Sequence, residues 1–561
     1  MQKSKNRDTV WLGAVLGALC LPLLALEWNH GHYLMDDGFI LAFGWRIWNG
    51  EVPYRDFIFH KTPLSLYLHS LWLLLPDNLP YIAARFGFYM QMFVTAFLPS
   101  AWAVRSGYVS GKLSSLAVIG ILFLFSFHNF PPMPWYTIDA NLFSTIELVL
   151  LLKSIEGATK RQQATFGLLS AICFVLAFLS KQNYAVLFLL FFGTFSFFAW
   201  RRHQSLSTVI PSVVASAITL LVAGLLLVGS GAWIDFVNQL LTLTTASAFR
   251  EILLPWLIAP LLNWKFWVCA LMIAVFALSS TSKLGELRPA VGTGLALIPF
   301  ALMLYLARLF QHETQIGFWF FWCTTILVLT STFQLRAKSS PREWTWAVYC
   351  WGTLLISFAS SISYGWITPM LAAAAYGPIY AYHLERLAPR GRDHVSLQVF
   401  ATMVLGFTFS VFVVARQTNL FTEQARSTQT YNLGDIYPRL EGVYSHRQIY
   451  EDYLQLNQIT AAAAERFQRP VVVMPNFPLF YFLEGKRNSM TVDWWDDGDT
   501  VPHMEKLLTE LKTKKPLILL QTCYSIYEEG CAEDRDLIPK WVKTHSKVLI
   551  ETPKFSLVSL D

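Results

Sequence analysis

The sequence predicts a polytopic α-helical membrane protein of about thirteen spans with an α/β domain outside the membrane at its C-terminal end, on three observations. Of 561 residues, 54% are hydrophobic, 15% aromatic and only 14% charged, a balance that ordinary soluble domains do not have. Apolar runs of roughly 17–22 residues, the length that crosses about 30 Å of hydrocarbon, recur from residue 9 to residue 415 and then stop. Beyond residue 416 the pattern changes to short β-type runs separated by polar helical segments.

The spans are expected near 9–27, 84–104, 113–129, 139–153, 163–180, 184–200, 208–229, 266–281, 290–310, 315–334, 344–361, 367–384 and 396–415. Alternate loops are short and basic: Lys3, Lys5 and Arg7, then Arg105 and Lys112, Lys153 to Arg161, Arg201 and Arg202, Lys283 and Arg288, Arg336 to Arg342, and Arg386 to Arg392. Loops rich in Lys and Arg stay cytoplasmic. The N-terminus is therefore expected in the cytoplasm, and the loop 28–83, Asp139, the connection 230–265 and the C-terminal region on the external, periplasmic side of an inner (plasma) membrane. Residues 64–76 are apolar but too short to cross, and counting them as a span would invert every later loop. They are expected to lie at the interface, as is part of 230–265.

The chain thus divides into a multi-span domain, 1–415, with its external loop 28–83, and an external α/β domain, 416–561. In the latter, strands are expected at 470–475, 489–495, 516–522 and 547–552, with helices at 446–468 and 503–515. Alternation of strand and helix implies a mainly parallel sheet, with 555–560 as an antiparallel edge strand. No Gly-rich phosphate loop is present. The net charge of +6 is spread over many loops, which argues against nucleic-acid binding. Cys20, Cys173, Cys269, Cys323 and Cys350 lie in spans and read as packing. For Cys523 and Cys531, a short disulfide loop and free thiols are both open. The first span lacks a small-x-small cleavage site and is expected to remain as an anchor.

Ionisable residues concentrate at the outer ends of the spans. Asp36 and Asp37 follow span one, Lys61 heads the interfacial segment, Asp139 opens span four, and Lys181 ends span five in FLSKQN. Carboxylates and ammonium groups cost free energy near hydrocarbon, so their grouping on one face marks a wet site. A carboxylate can take a proton from an acceptor hydroxyl while lysines neutralise a departing phosphate. Simpler roles compete at each position. Asp36 and Asp37 would serve as a solvated cap, Lys61 and Lys181 as snorkelling anchors, and Asp139 as the cap of span four. Glu147, at i+8 from Asp139, reads as a polar contact between helices. Arg46, Arg55, Asp56 and His60 read as local partners within the loop, while Arg85, Arg250, Lys265 and Arg308 are not ranked by sequence.

The segment GWRIWNGEVPYRDFIFHKTPL resembles GWRLLHGELPYRDFWDHKPPL of the C-type membrane glycosyltransferases, in the bacterial branch related to protein O-mannosyltransferases and the lipid A aminoarabinose transferase. An acidic pair after the first span, an acid in the next external loop (Asp139), a Lys-Gln pair (Lys181-Gln182) and PNFPLFYFLEGKRN, similar to PLLYYLTGRRN, extend the resemblance along most of the chain. Asp37 stands where glutamate is commoner, and HKTP replaces HKPP. The resemblance implies inverting transfer of a sugar from a polyprenyl-phosphate donor to a lipid, glycan or protein acceptor. It implies Asp36 as general base or acceptor-orienting carboxylate, Lys61 and Lys181 at the donor phosphate, and Asp139 positioning Lys61 or the acceptor. No cofactor is expected to be obligatory; a divalent metal held by Asp36, Asp37 and Asp139 is the alternative. A transporter or flippase is the competing function, but it would place charges near mid-membrane in related halves, and no internal repeat is found. A scaffold presenting the outer domain would need no acidic loop.

Overall fold

The computed structural model describes residues 2–32, 36–127, 132–202, 210–242, 258–264, 266–268, 270–271, 274, 316–333, 335, 339–361, 371–387, 393–418, 425–521 and 536–560. Arg250, Lys265, Cys269, Arg308, Cys523, Cys531 and the expected span 290–310 lie outside the described residues, as does most of 266–281.

The helices in the first half are α1 (Gln2–Glu27), α2 (Phe39–Trp48), α3 (Leu64–Ser70), α4 (Pro80–Arg105), α5 (Leu113–Ser126), α6 (Tyr136–Glu156), α7 (Lys160–Ser180), α8 (Leu187–Arg202), α9 (Ile210–Gly229) and α10 (Trp233–Thr242). Ile316–Phe333, Pro341–Ser361, Ala373–Leu387 and Asp393–Thr418 complete the bundle. All but α2, α3 and α10 fall where the hydropathy pattern expects spans. Among the described residues, Lys5–Glu27, Lys160–Ser180, Ile210–Gly229 and Gln398–Thr418 are long and apolar enough to cross a membrane. The chain is a polytopic helical membrane protein. On α9, Ile218, Leu221, Leu225 and Leu226 are exposed, a surface that suits lipid and not water.

Contacts between helix ends define two poles of the bundle. At one, Lys5 Nζ donates to the Arg105 carbonyl (2.7 Å), Ser110 N–H to Glu385 (2.7 Å) and Tyr108 O–H to the Arg342 carbonyl (2.8 Å). This is the basic pole. At the other, Arg416 pairs with Glu27 at 3.0 Å and Lys181 Nζ reaches the Ser360 carbonyl at 3.0 Å.

The loop 28–83 is more ordered than its composition implies, because FILAFGWRIW forms α2, too short to register as a span. Helix α3 runs on into a 3-10 turn, Leu71–Leu74, so the expected interfacial segment is helical. Gly44 lets α2 lie close on α3: a Cβ there would stand 3.1 Å from the Ser70 amide nitrogen.

The C-terminal region is a four-stranded sheet in the order Val471–Met474, Leu517–Gln521, Phe555–Ser559, Lys547–Glu551. Only the first pair is parallel, so the sheet is mixed and not mainly parallel, and Phe555–Ser559 lies inside it while Lys547–Glu551 takes the edge. The five-residue strand 555–559 is buried throughout, which suits an interior position. Residues 489–495 are not a strand: their alternating apolar side chains are buried, but Met490 N–H bonds Asn488 Oδ1 (2.9 Å) and the Thr491 carbonyl accepts from Ile58 N–H (2.7 Å). Alternate side chains put Val473, Leu517, Leu519 and Leu557 toward helix Arg447–Phe467 and Val472, Ile518, Leu520 and Val558 toward Leu507, Leu511, Ile538 and Val542. The latter pair belongs to helix Leu537–His545, which the sequence pattern missed.

This α/β unit is bound to the loop 28–83. Arg46 of α2, 2% exposed, pairs through Nε with Asp493 at 2.7 Å and donates through Nη2 to the Met490 carbonyl at 2.5 Å. Leu41, Leu73 and Tyr81 share a core with Tyr453, Leu479 and Phe480. Asp493→Ala leaves the buried Arg46 guanidinium with Glu51, at 3.0 Å, as its remaining carboxylate partner, a cost of about 1–3 kcal/mol. The expected outcome is a lower Tm with early protease cleavage within 425–560; an unchanged digestion pattern would show that the ion pair does not hold the unit in place.

Candidate functional site

Asp36, Asp37 and Gly38 form the turn that opens α2. The Asp36 carbonyl accepts Phe39 N–H at 3.0 Å, and Gly38 adopts φ +90°. A Cβ on Gly38 would stand 2.5 Å from Leu479, so the turn requires glycine both for its left-handed backbone and for the approach of the α/β unit.

The two adjacent aspartates have different surroundings. Asp37 is fully buried, and its Oδ2 accepts from Tyr81 O–H and from Arg85 Nη2. Arg85 also donates to Tyr81 Oη (2.8 Å) and the Gly31 carbonyl (2.6 Å). His32 Nδ1 lies 2.6 Å from Tyr81 Oη, and its Nε2 meets Tyr453 O–H of the α/β unit. Proton counting orients the chain: Tyr81 gives its single hydroxyl proton to Asp37, so His32 Nδ1 must donate to Tyr81. Burial pushes the Asp37 carboxyl up, but Arg85, His32 and Tyr81 outweigh it and hold the group down to about 2. Its Oδ1 has no hydrogen bond among the described residues.

Asp36 is half-buried, and its carboxylate makes no side-chain hydrogen bond or ion pair among the described residues. Burial, with the neighbouring Asp37 charge second, raises its pKa from 3.8 to about 7. One carboxylate is therefore clamped and ionised, and the other is poised to take or release a proton near neutrality.

Asp139 sits in the first turn of α6, fully buried, where it accepts from His69 Nε2 (3.0 Å) and Gln91 Nε2 (2.8 Å). Trp72 Nε1–H donates to His69 Nδ1 at 2.9 Å, which leaves the ring proton on Nε2 facing Asp139. Asp139 thereby ties α6 to α3 and α4.

Lys61 and Lys181 converge on one ring: each Nζ lies 5.7 Å from the Tyr136 centroid. Lys181, just past the end of α7, donates to Thr137 Oγ1 (3.1 Å) and the Ser360 carbonyl (3.0 Å). Burial and the Lys61 charge push its pKa well below the ordinary lysine value. The same two causes keep His60 neutral. Lys61 is held from its backbone, where Tyr54 O–H donates to the carbonyl at 2.5 Å. Two lysine amines crowded against an aromatic face are suited to an anion, whose charge would favour the protonated form of both.

A run of tilted aromatic rings joins the carboxylate turn to the lysines. Phe39, three residues after Asp36, lies 5.4 Å from Trp135, which lies 4.8 Å from Tyr136. All five residues singled out by sequence thus lie at one pole of the bundle. Sequence missed His32, His69, Tyr81, Tyr136 and Tyr453. Tyr81 and Arg85 carried a signal in their i, i+4 spacing at the start of an apolar helix; His32 and Tyr453, 421 residues apart, carried none. Among the described residues no group of three His, Cys, Asp or Glu side chains is placed to hold a metal ion. Asp36, Asp37 and Asp139 do not form such a set.

No protein-family model and no curated protein matches the chain. Among solved structures, the chain is similar over 98% of its length to ArnT from Cupriavidus metallidurans bound to undecaprenyl phosphate, at 13% identity, TM-score 0.41 and 98% of that chain. It is similar over the same share to the apo state of ArnT, at 15% identity, TM-score 0.41 and 97% of that chain. A third similarity is to the arabinosyltransferase EmbB from Mycobacterium smegmatis, over 74% of this chain and 42% of that longer one, at 12% identity and TM-score 0.37.

The two aspartates have opposite linkage to stability. Asp37, depressed, contributes stability above pH about 4 that is lost as pH falls toward 2. Asp36, raised, binds its proton more tightly folded than unfolded, so its ionisation opposes folding increasingly from pH about 4 to about 7. Asp36→Asn is expected to raise Tm, and by more at pH 8 than at pH 5. A lower Tm at both would show Asp36 to be a structural cap.

Proposed function

We propose that the chain is an inverting, GT-C-type glycosyltransferase that moves a sugar from a polyprenyl-phosphate donor to a hydroxyl of a lipid, glycan or protein acceptor. The site pole is the external face in this reading, as the bias of Lys and Arg to the opposite loops favours. The observation that carries it is the combination of a poised carboxylate at Asp36, without a side-chain partner among the described residues, with two lysines gathered on Tyr136 at the same pole.

The acceptor hydroxyl attacks the anomeric carbon from the side opposite the phosphate, and Asp36 takes its proton as the new C–O bond forms. The bond from the anomeric carbon to the phosphate oxygen breaks, and its electron pair leaves with the polyprenyl phosphate. Lys61 and Lys181 stabilise the negative charge that accumulates there. Inversion follows from the single displacement. Asp37, clamped by Arg85, keeps a fixed charge beside Asp36, and Asp139 holds the entry of α6, which carries Tyr136. Cationic side chains supply the electrostatic assistance, so no metal is obligatory in this mechanism.

Transport is the second reading, and one observation favours it: neither carboxyl oxygen of Glu147, buried within α6, has a hydrogen-bond partner among the described residues. Purified protein in lipid, given radiolabelled polyprenyl-phosphate sugars and a membrane acceptor extract, separates the two. Transfer by wild type is expected, with kcat/KM rising about tenfold per pH unit below 7 and levelling above it. Asp36→Asn is expected to lower kcat by about 10²–10⁴-fold at unchanged donor affinity. Lys61→Ala is expected to weaken donor binding as well. Movement of labelled donor across the bilayer without transfer would favour transport.

A further inference from the structure

At the basic pole, opposite the candidate site, four helix ends border an open cavity of about 220 Å³. It lies between the turn after α4, the end of Ile316–Phe333, the first turns of Pro341–Ser361 and the last turn of Ala373–Leu387. Its wall is one continuous stack. The Arg342 guanidinium lies 4.9 Å over Tyr108, Tyr108 lies 4.9 Å from Trp346, Trp346 lies 4.6 Å from Tyr382, and the Arg386 guanidinium lies 5.2 Å over Tyr382.

The stack fixes the planes of both guanidinium groups without using all of their donors. Arg342 uses Nη2 on the Gly107 and Ser106 carbonyls, at 2.5 and 3.1 Å, and Arg386 uses Nη1 on the Tyr382 hydroxyl. The Arg342 side chain also shares a hydrogen bond with Tyr108, and Nε and Nη2 of Arg386 have no hydrogen-bond partner among the described residues. Glu343 also lines the cavity, but its Oε2 is occupied by Ser340 N–H (2.7 Å) and Oγ (3.0 Å). The lining therefore carries two fixed positive charges against one negative.

We propose that this cavity binds the phosphate of an anionic molecule at the membrane surface, in a fork formed by Arg342 and Arg386. Planar guanidinium groups that keep N–H donors unused among the described residues match phosphate oxygens. The volume lies below the roughly 300–1,000 Å³ of sites for drug-sized ligands, so a phosphodiester head fits and a sugar nucleotide does not. Tyrosine and tryptophan favour headgroup depth, which suits a phosphate attached to lipid as well as free phosphate. The inference does not depend on the transferase reading.

Native mass spectrometry of the delipidated full chain tests it, with phosphatidylglycerol, phosphatidylcholine and inorganic phosphate as probes. Wild type is expected to retain phosphatidylglycerol at least tenfold over phosphatidylcholine. Arg342→Gln/Arg386→Gln should lose that preference, and Arg386→Gln alone, at an exposed position, should reduce it several-fold. Lys160→Gln/Arg161→Gln, at the same pole, should leave it unchanged. Displacement of the lipid by millimolar inorganic phosphate would identify free phosphate as sufficient, and resistance to displacement would identify the lipid headgroup; both support the fork. Equal retention by the double Arg variant and wild type, an equal loss in the Lys160/Arg161 variant, or equal retention of phosphatidylcholine would overturn it.

Discussion

Asp37 is a buried carboxylate that keeps its charge, and much of the site pole is arranged around that fact. An ionised carboxylate away from water is strongly unfavourable unless it is paired and hydrogen-bonded. Here Arg85 supplies the opposite charge, Tyr81 a hydroxyl, and His32 a donor that orients Tyr81. Each partner comes from a different part of the chain or is itself tied elsewhere. Arg85 also grips the Gly31 carbonyl, which fixes the exit from α1, and His32 meets Tyr453, which fixes the α/β unit. The clamp therefore sets the geometry of three segments together.

A consequence is that Asp36 and Asp37, neighbours of identical chemistry, are not interchangeable. The charge on Asp37 is balanced by partners that Asp36 does not share. Asp36 lies beside that fixed charge in a poorly hydrated turn, and both conditions favour its protonated form. A group intended to accept a proton gains from such placement, because its pKa then lies near the pH at which it works. The arrangement opposes folding locally, and the surrounding contacts offset that cost: the Arg46–Asp493 pair, the shared core of Leu41, Tyr81 and Leu479, and the close fit of Gly38 against Leu479.

The two poles of the bundle differ in character. At the site pole, buried ionisable groups are fixed by charge-assisted hydrogen bonds, as at Asp139 between His69 and Gln91. At the basic pole, arginines lie on aromatic rings, with part of their hydrogen-bonding capacity unused among the described residues. Rigid positioning suits chemistry, whereas stacked, half-satisfied guanidinium groups suit recognition of an anion.

The amino-acid sequence by itself determined the membrane character and the position of most of the long helices, and it set Asp36, Asp37, Asp139, Lys61 and Lys181 at or beside helix ends. Hydrophobic period and charge placement are local properties of a chain, and the bilayer translates them directly into position. Only the tertiary structure decided that Phe39–Trp48 is a helix, that 489–495 spends its backbone hydrogen bonds outside the sheet, and that Phe555–Ser559 pairs on both sides. Strand partners are chosen by contacts between segments distant in sequence, so a run such as SMTVDWW reads as a strand until Arg46 and Ile58 are seen to claim its carbonyls. The distinction between Asp36 and Asp37 has the same origin. Whether a carboxylate is clamped or poised depends on burial and on partners brought from as far as Tyr453, and neither is written in the residues beside it.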